Sequence, residues 1–178
     1  NLDFNKSIGP KNRLFYGAEF VLNDVNSTGI DEDISTGVAA NGPARYPKST
    51  WASFGAYLSD QFLVSDKFTV QAGIRYSQFK LDATFDTTFY KFPFVEASLN
   101  NGALTGSLGF VFRPTKEWVI SANGATAFRS PNVDDIGKVF DSEPGTVTIP
   151  NPNLKAEYAY NIDVSIAKVI ADVVKLDL

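Results

Sequence analysis

The chain has 178 residues, of which 44% are hydrophobic, 20% charged and 13% aromatic, enough apolar material for one folded domain. Without cysteine there is no disulfide scaffold, thiolate metal site or Cys nucleophile, and without histidine the commonest metal ligand and general base are missing. A net charge of -4 argues against a nucleic-acid partner, and no apolar run approaches the roughly 20 residues of a membrane helix.

Period-two alternation dominates the chain and predicts strands. Leu14, Tyr16, Ala18, Phe20 and Leu22 share one face of the first clear strand. A second, less regular strand covers roughly 51–64. From 68 to 76, Phe68, Val70, Ala72, Ile74 and Tyr76 alternate with Thr69, Gln71, Gly73, Arg75 and Ser77. The alternation resumes over 79–86 with shifted parity, which predicts a bulge between the two halves. Further strands are expected over 103–113, 117–128 and 155–166, with a last one beginning near Asp172. No amphipathic helix is expected.

Connection lengths fall into two classes. Short ones are Ser7 to Asn12, Ser65-Asp66, Pro114-Thr115-Lys116 and a turn near Ile170-Ala171; long ones run over 26–49, 87–101 and 129–154. Short and long alternate along the chain. That is the pattern of an up-and-down sheet with tight turns at one end and long loops at the other, as in outer-membrane barrels.

The two faces fit that pattern. Opposite the apolar face lie Gly17, Gly55, Gly73 and Gly109 among Ser, Thr, Asn and Arg, which suits a wet lumen or close approach of an inner element. Phe68 to Tyr76 spans roughly 26 Å of strand, or about 20 Å of height when tilted, against an apolar band about 25 Å tall. Phe112 and Trp118, flanking a short turn, are expected to lie together at the short-turn interface. The competing reading is a soluble two-sheet sandwich. The chain starts without Met at Asn1-Leu2-Asp3, with no signal-peptide pattern, and ends at Asp177-Leu178 inside an alternating stretch. It is therefore expected to be a piece of a longer protein.

Two boxes flank the third long connection. Phe128-Arg129-Ser130-Pro131 ends one strand, and Pro150-Asn151-Pro152-Asn153-Leu154-Lys155-Ala156-Glu157 leads into the next. A proline pushes the residue before it out of the helical region and removes a ladder donor, so each box fixes a strand end. Arg129 is placed to pair with Asp134, Asp135 or Glu157 at the loop base. The boxes resemble the paired "FRAP" and "NPNL/NPDL…PE" motifs of TonB-dependent outer-membrane receptors. The strand Ala72-Gly73-Ile74-Arg75-Tyr76 resembles that family's "aGlRy" strand, and Gly106 to Pro114 a strand followed by a periplasmic turn. The segment Asp134-Asp135…Gly137-Lys138-Val139-Phe140-Asp141 is similar to the haemin and haemoglobin branch.

The resemblance implies an all-β fold, in which residues 1–178 supply seven or eight antiparallel transmembrane strands of a 22-stranded barrel. The plug domain, signal peptide and C-terminal strands would lie outside this chain. It implies a bacterial outer-membrane receptor, not an enzyme, that takes up a scarce nutrient such as a ferric siderophore, haem or another metal chelate. The implied partners are outer-membrane lipid, the small-molecule substrate and the TonB–ExbB–ExbD system. A passive porin or adhesin barrel and a soluble carbohydrate-binding sandwich are the alternatives.

The family-motif residues Phe128, Arg129, Pro131, Asn151, Pro152, Leu154 and Glu157 are expected to be architectural. Candidate ligand contacts are Tyr46, Tyr90, Asp134 and Asp135. The haem branch typically carries a ligating histidine between the boxes, and this chain has none, so ligands for haem iron would come from elsewhere in the protein. A tyrosinate also ligates haem, but no Tyr lies between Pro131 and Leu154. Asp31-Glu32-Asp33 could hold calcium or be a solvated loop edge. The aromatic stretch from Phe85 to Phe94 could stack on a planar or sugar ligand or pack loop on loop. No resident cofactor is assigned.

Overall fold

A computed structural model of the chain describes residues 1–139, 141–143, 146–170 and 174–177. In chain order the elements are β1 (Leu2–Ile8), β2 (Asn12–Val25), β3 (Gly29–Glu32), β4 (Ala39–Gly42), β5 (Lys48–Ser65), β6 (Phe68–Thr84), β7 (Glu96–Phe112) and β8 (Trp118–Arg129). The short helix α1 (Val133–Gly137) follows, then β9 (Asp141–Glu143), β10 (Thr146–Val147), β11 (Glu157–Ile170) and β12 (Val174–Asp177). One eight-stranded sheet runs β1-β2-β5-β6-β7-β8-β11-β12, every pair antiparallel. The other four strands form two small hairpins, β3–β4 and β9–β10, inside the first and third long connections.

Each strand anticipated from alternation is present, and most are longer. The 103–113 strand begins seven residues earlier, at Glu96, so the second long connection is shorter than expected. Asp172, the expected start of the last strand, and Ala171, in the last turn, lie outside the described residues; β12 begins at Val174. Helix α1 was not anticipated, since five residues carry too little periodicity to register.

The parity shift in β6 has a different cause from the one expected. Pairing with β7 is unbroken from Phe68–Phe112 to Thr84–Glu96, so no bulge separates the two halves. What changes is the chemistry of the faces. Up to Tyr76 the even face is apolar; beyond it the even residues are Gln78, Lys80, Asp82 and Thr84. The odd face, polar below with Arg75 and Ser77, becomes Phe79, Leu81 and Ala83. Seventeen residues span about 54 Å of strand, well beyond what a 25 Å apolar band requires. The upper part of the strand therefore outgrows the band and carries its apolar side chains on the opposite face. The bulge that does exist in this hairpin sits at its short turn, between Leu63 and Ser65.

Burial separates the faces. On the even face of β11, Tyr160 is 81% and Ile162 84% exposed, and Phe20, Leu58, Ile74, Leu104 and Leu108 of other strands are exposed with them. A water-soluble fold does not leave so broad a continuous apolar face open. On the odd face polar groups pair with each other. Glu19 of β2 and Arg75 of β6 form an ion pair that reaches across β5 at Gly55. A Cβ at that glycine would collide with the Arg75 guanidinium. Tyr57 donates to Asp3 at 2.6 Å on the same face.

At the short-turn end Phe112 meets Phe68 edge-on at 6.3 Å across the β6–β7 pair. Trp118 lies beneath the Lys168 ammonium at 4.7 Å. Both aromatics flank the short turn, as expected, and each also has a cross-strand partner of its own.

Candidate functional site

The buried apolar cluster lies at the long-loop end: Leu81, Ala83, Phe85, Ala97 and Ile136, with Trp51, Phe92, Phe94, Leu99, Val133 and Leu154 packed against it. It gathers strand residues of β5, β6 and β7 and side chains from the second and third long connections. These connections are folded onto the wall.

The third connection is pinned from both ends. Ser130 Oγ accepts from Asn101 Nδ2 at 3.0 Å, tying the end of β8 to β7 where the two have ceased to pair. Phe128 packs against Phe79 and Tyr158, with ring centroids 5.8 and 5.2 Å away. Arg129 donates from Nη2 to both Asp135 oxygens at 2.7 Å and from Nη1 to Glu157 Oε2 at 3.3 Å. The two boxes are thus joined through one guanidinium. Asp134 does not take part in this clamp.

After the buried Pro131, α1 starts with reciprocal capping. Asn132 Oδ1 accepts from the Asp135 amide, and Asp135 Oδ2 from the Asn132 amide, both at 3.0 Å. This orients Ile136 into the cluster, where it is 0% exposed. Gly137 is packed so closely on Pro47 that a Cβ would come within 2.6 Å of its ring. In the second box Asn151 Oδ1 accepts from the Asn153 amide at 3.0 Å, closing a turn around Pro152, and Leu154 then drops onto the cluster.

The first and third connections are stitched together. Tyr46 donates to Asp134 Oδ1 at 2.9 Å, and the Val139 amide donates to the Arg45 carbonyl at 2.8 Å. The Tyr46 hydrogen bond, with the nearby Lys138 and Arg45 charges, holds the Asp134 carboxyl below the usual carboxylate range. Lys138 lies 3.5 Å from the same carboxylate.

Tyr46 and Asp134 line an open cavity of about 390 Å³ together with Asn23, Val25, Trp51, Asn132 and Val133. Asn23 and Trp51 are paired neighbours on the odd face, the face that carries the Glu19–Arg75 ion pair. The Trp51 indole Nε1 is buried there with no acceptor among the described residues. Two aromatic rings and a carboxylate meet here in a volume within the roughly 300–1,000 Å³ of small-molecule sites.

The other candidates separate. Asp135 is committed to Arg129 and the cap. Tyr90 lines a smaller cavity of about 220 Å³ between the loops, with Phe89, Phe92, Val139 and again Tyr46 around it. In the Phe85–Phe94 stretch, Phe85 packs on Phe94 at 5.1 Å and Phe92 stacks on Phe94 at 5.9 Å. Asp31 and Glu32 are consecutive in a strand and point to opposite sides, while Asp33 accepts from the Ser35 and Thr36 amides. No three acids converge on a metal position among the described residues. Sequence reading missed Trp51, Ile136 and the Asn132 cap; the Asn132-x-x-Asp135 spacing was the available signal.

Comparison with known proteins gives the architecture a family. The chain is 32% identical over 119 residues to haemoglobin-haptoglobin utilization protein B of Neisseria meningitidis serogroup A, a match covering 63% of this chain and 15% of that protein. The fold superposes on the copper transporter OprC with a TM-score of 0.74 at 13% identity, over 90% of this chain and 25% of that one. It superposes on the Serratia marcescens haemophore receptor HasR, solved with its haemophore HasA and haem, with a TM-score of 0.72 at 14% identity. That match covers 98% of this chain and 30% of HasR. The chain thus spans less than a third of the length of each. Residues 1–171 match the family model described as TonB dependent receptor-like, beta-barrel. The chain belongs to this TonB-dependent receptor family, whose members are bacterial outer-membrane receptors and transporters and not enzymes.

Proposed function

We propose that the eight-stranded sheet is a section of the wall of a TonB-dependent receptor barrel, and that its long loops bind an imported cargo. The even-face apolar band faces outer-membrane lipid and the odd face lines the lumen. Energy reaches the receptor from the TonB–ExbB–ExbD system through parts of the protein outside this chain. The observation that carries the cargo reading is the inner-face cavity, where Tyr46, Trp51 and Asp134 meet beneath loops held down by the Arg129 clamp.

Haem, delivered by a carrier such as haemoglobin, is the cargo we favour. The support is the 32% identity to the haemoglobin-haptoglobin utilization protein. Two aromatic walls suit a flat macrocycle. With no histidine in the chain, Tyr46 and Trp51 act here as walls, and any ligand to haem iron comes from another part of the receptor.

The test is growth and haem uptake in iron-starved cells that depend on the whole receptor. Uptake is expected to stop when TonB is deleted and to fall roughly tenfold for Trp51→Ala, with receptor abundance unchanged. Uptake indifferent to TonB would refute the transport reading. TonB-dependent uptake of a copper or siderophore complex, with none of haem, would refute the cargo.

A further inference from the structure

We propose that the β3–β4 hairpin is a docking finger for the protein that carries the cargo, a partner presenting an apolar socket with a basic rim. This rests on the receptor reading above. The hairpin forms its own two-stranded sheet, paired from Gly29–Gly42 to Glu32–Ala39. At its apex Ile34 is 97% exposed, with Ile30 at 72% and Val38 at 66%. Loop tips of this kind are ordinarily polar, so three large apolar side chains held in water call for a cover.

The apex is built and not merely loose. Asp33 Oδ1 accepts from the Ser35 amide at 2.8 Å and the Thr36 amide at 3.2 Å, and the Asp33 carbonyl accepts from the Gly37 amide at 2.7 Å. The Asp33 amide donates to the Val38 carbonyl at 3.0 Å, and Gly37 supplies the left-handed φ of 70° that closes the turn. A preorganised apolar tip loses little conformational entropy on binding.

Charge selects the partner. Asp31, Glu32 and Asp33 sit beside the apex, and no Lys or Arg occurs from Leu14 to Ala44. Three carboxylates repel an anionic membrane surface and a second copy of the same hairpin. They attract a protein whose apolar socket is ringed by Lys and Arg.

The experiment measures haemoglobin binding to the whole receptor in outer-membrane vesicles, for the native protein, Ile34→Asp and a variant with Asp31→Asn, Glu32→Gln and Asp33→Asn together. In a whole receptor stripped of any other reactive cysteine, Ile34→Cys labelling by an impermeant maleimide on intact cells reports whether the apex is open. Ready labelling, roughly tenfold or greater weakening by Ile34→Asp and roughly tenfold slower association for the neutralised variant at low salt are the results expected. TonB-dependent uptake of free haem, supplied without haemoglobin, is expected to be retained in all variants, and its loss in Ile34→Asp would overturn a role confined to docking. Protection of Ile34→Cys, or native affinity in Ile34→Asp, would overturn the docking finger while leaving the receptor reading in place. Free-haem uptake without any haemoglobin binding would overturn it equally. Loss of TonB dependence in the native receptor would instead remove the reading on which it rests.

Discussion

Arg129 and Ile136 divide the work of holding the third loop. The guanidinium joins both motif boxes, but its side chain is half exposed, and solvent screens its ion pairs. Ile136, fully enclosed, contributes more: truncation of such a residue to Ala costs about 2–5 kcal/mol. Ile136→Ala is therefore expected to speed amide exchange over 131–139 far more than Arg129→Ala does. Equal effects would mean that the clamp, and not burial, holds the loop. A carboxyl whose native pKa is depressed stabilises above its unfolded pKa and loses that contribution as pH falls through the native value. For Asp134 that window lies below about pH 4. The Tyr46–Asp134 tether is expected to hold at neutral pH and release only in strong acid. Tyr46→Phe should release the first loop from the third at pH 7, read by exchange of the Val139 amide.

Strand alternation was the most legible level of the sequence, because a face exposed to one medium repeats one chemistry every two residues. It misled where the medium changed. Phe79, Leu81 and Ala83 kept the apolar period but belong to the opposite face, since the strand continues past the apolar band and encloses a loop-packed core. Residues at the boundary carried no mark of this; only uninterrupted pairing with β7 reveals it. The loop clamp was half legible: the Arg129–Glu157 pairing follows from two strand ends that must meet, whereas Asp134 and Asp135 could not be told apart before the cap of α1 assigned them. The Trp51–Tyr46–Asp134 cavity was illegible, because its parts come from segments far apart in sequence. At this scale single-cysteine labelling gives a sharp expectation. In the whole receptor Asn161→Cys reacts with a water-soluble reagent and Ile162→Cys is protected, while Lys80→Cys reacts and Leu81→Cys does not. Ready reaction at Leu81→Cys would restore a bulge within β6.

On the scale of the molecule, the sheet has two edges, β1 and β12, with no further strand paired to them among the described residues, and its even face is too apolar for water. Both facts support the proposed closure with further strands inside a bilayer, where every backbone group would find a partner. Gly55 is part of the same design, since it lets the Glu19–Arg75 pair cross the inner wall. Gly55→Val is expected to break that pair and to lower the temperature at which the barrel melts, with the lipid face unaltered; an unchanged melting temperature would mean that the pair adds nothing to the wall. The most direct test of a closed outer-membrane barrel is the electrophoretic mobility of the native source protein, extracted with and without detergent and run with and without boiling. A detergent-dependent band several times larger than 19.4 kDa that shifts on heating is the expected result. A water-soluble, heat-indifferent species near 19.4 kDa would contradict it, because the exposed face would then have to be buried by this chain alone.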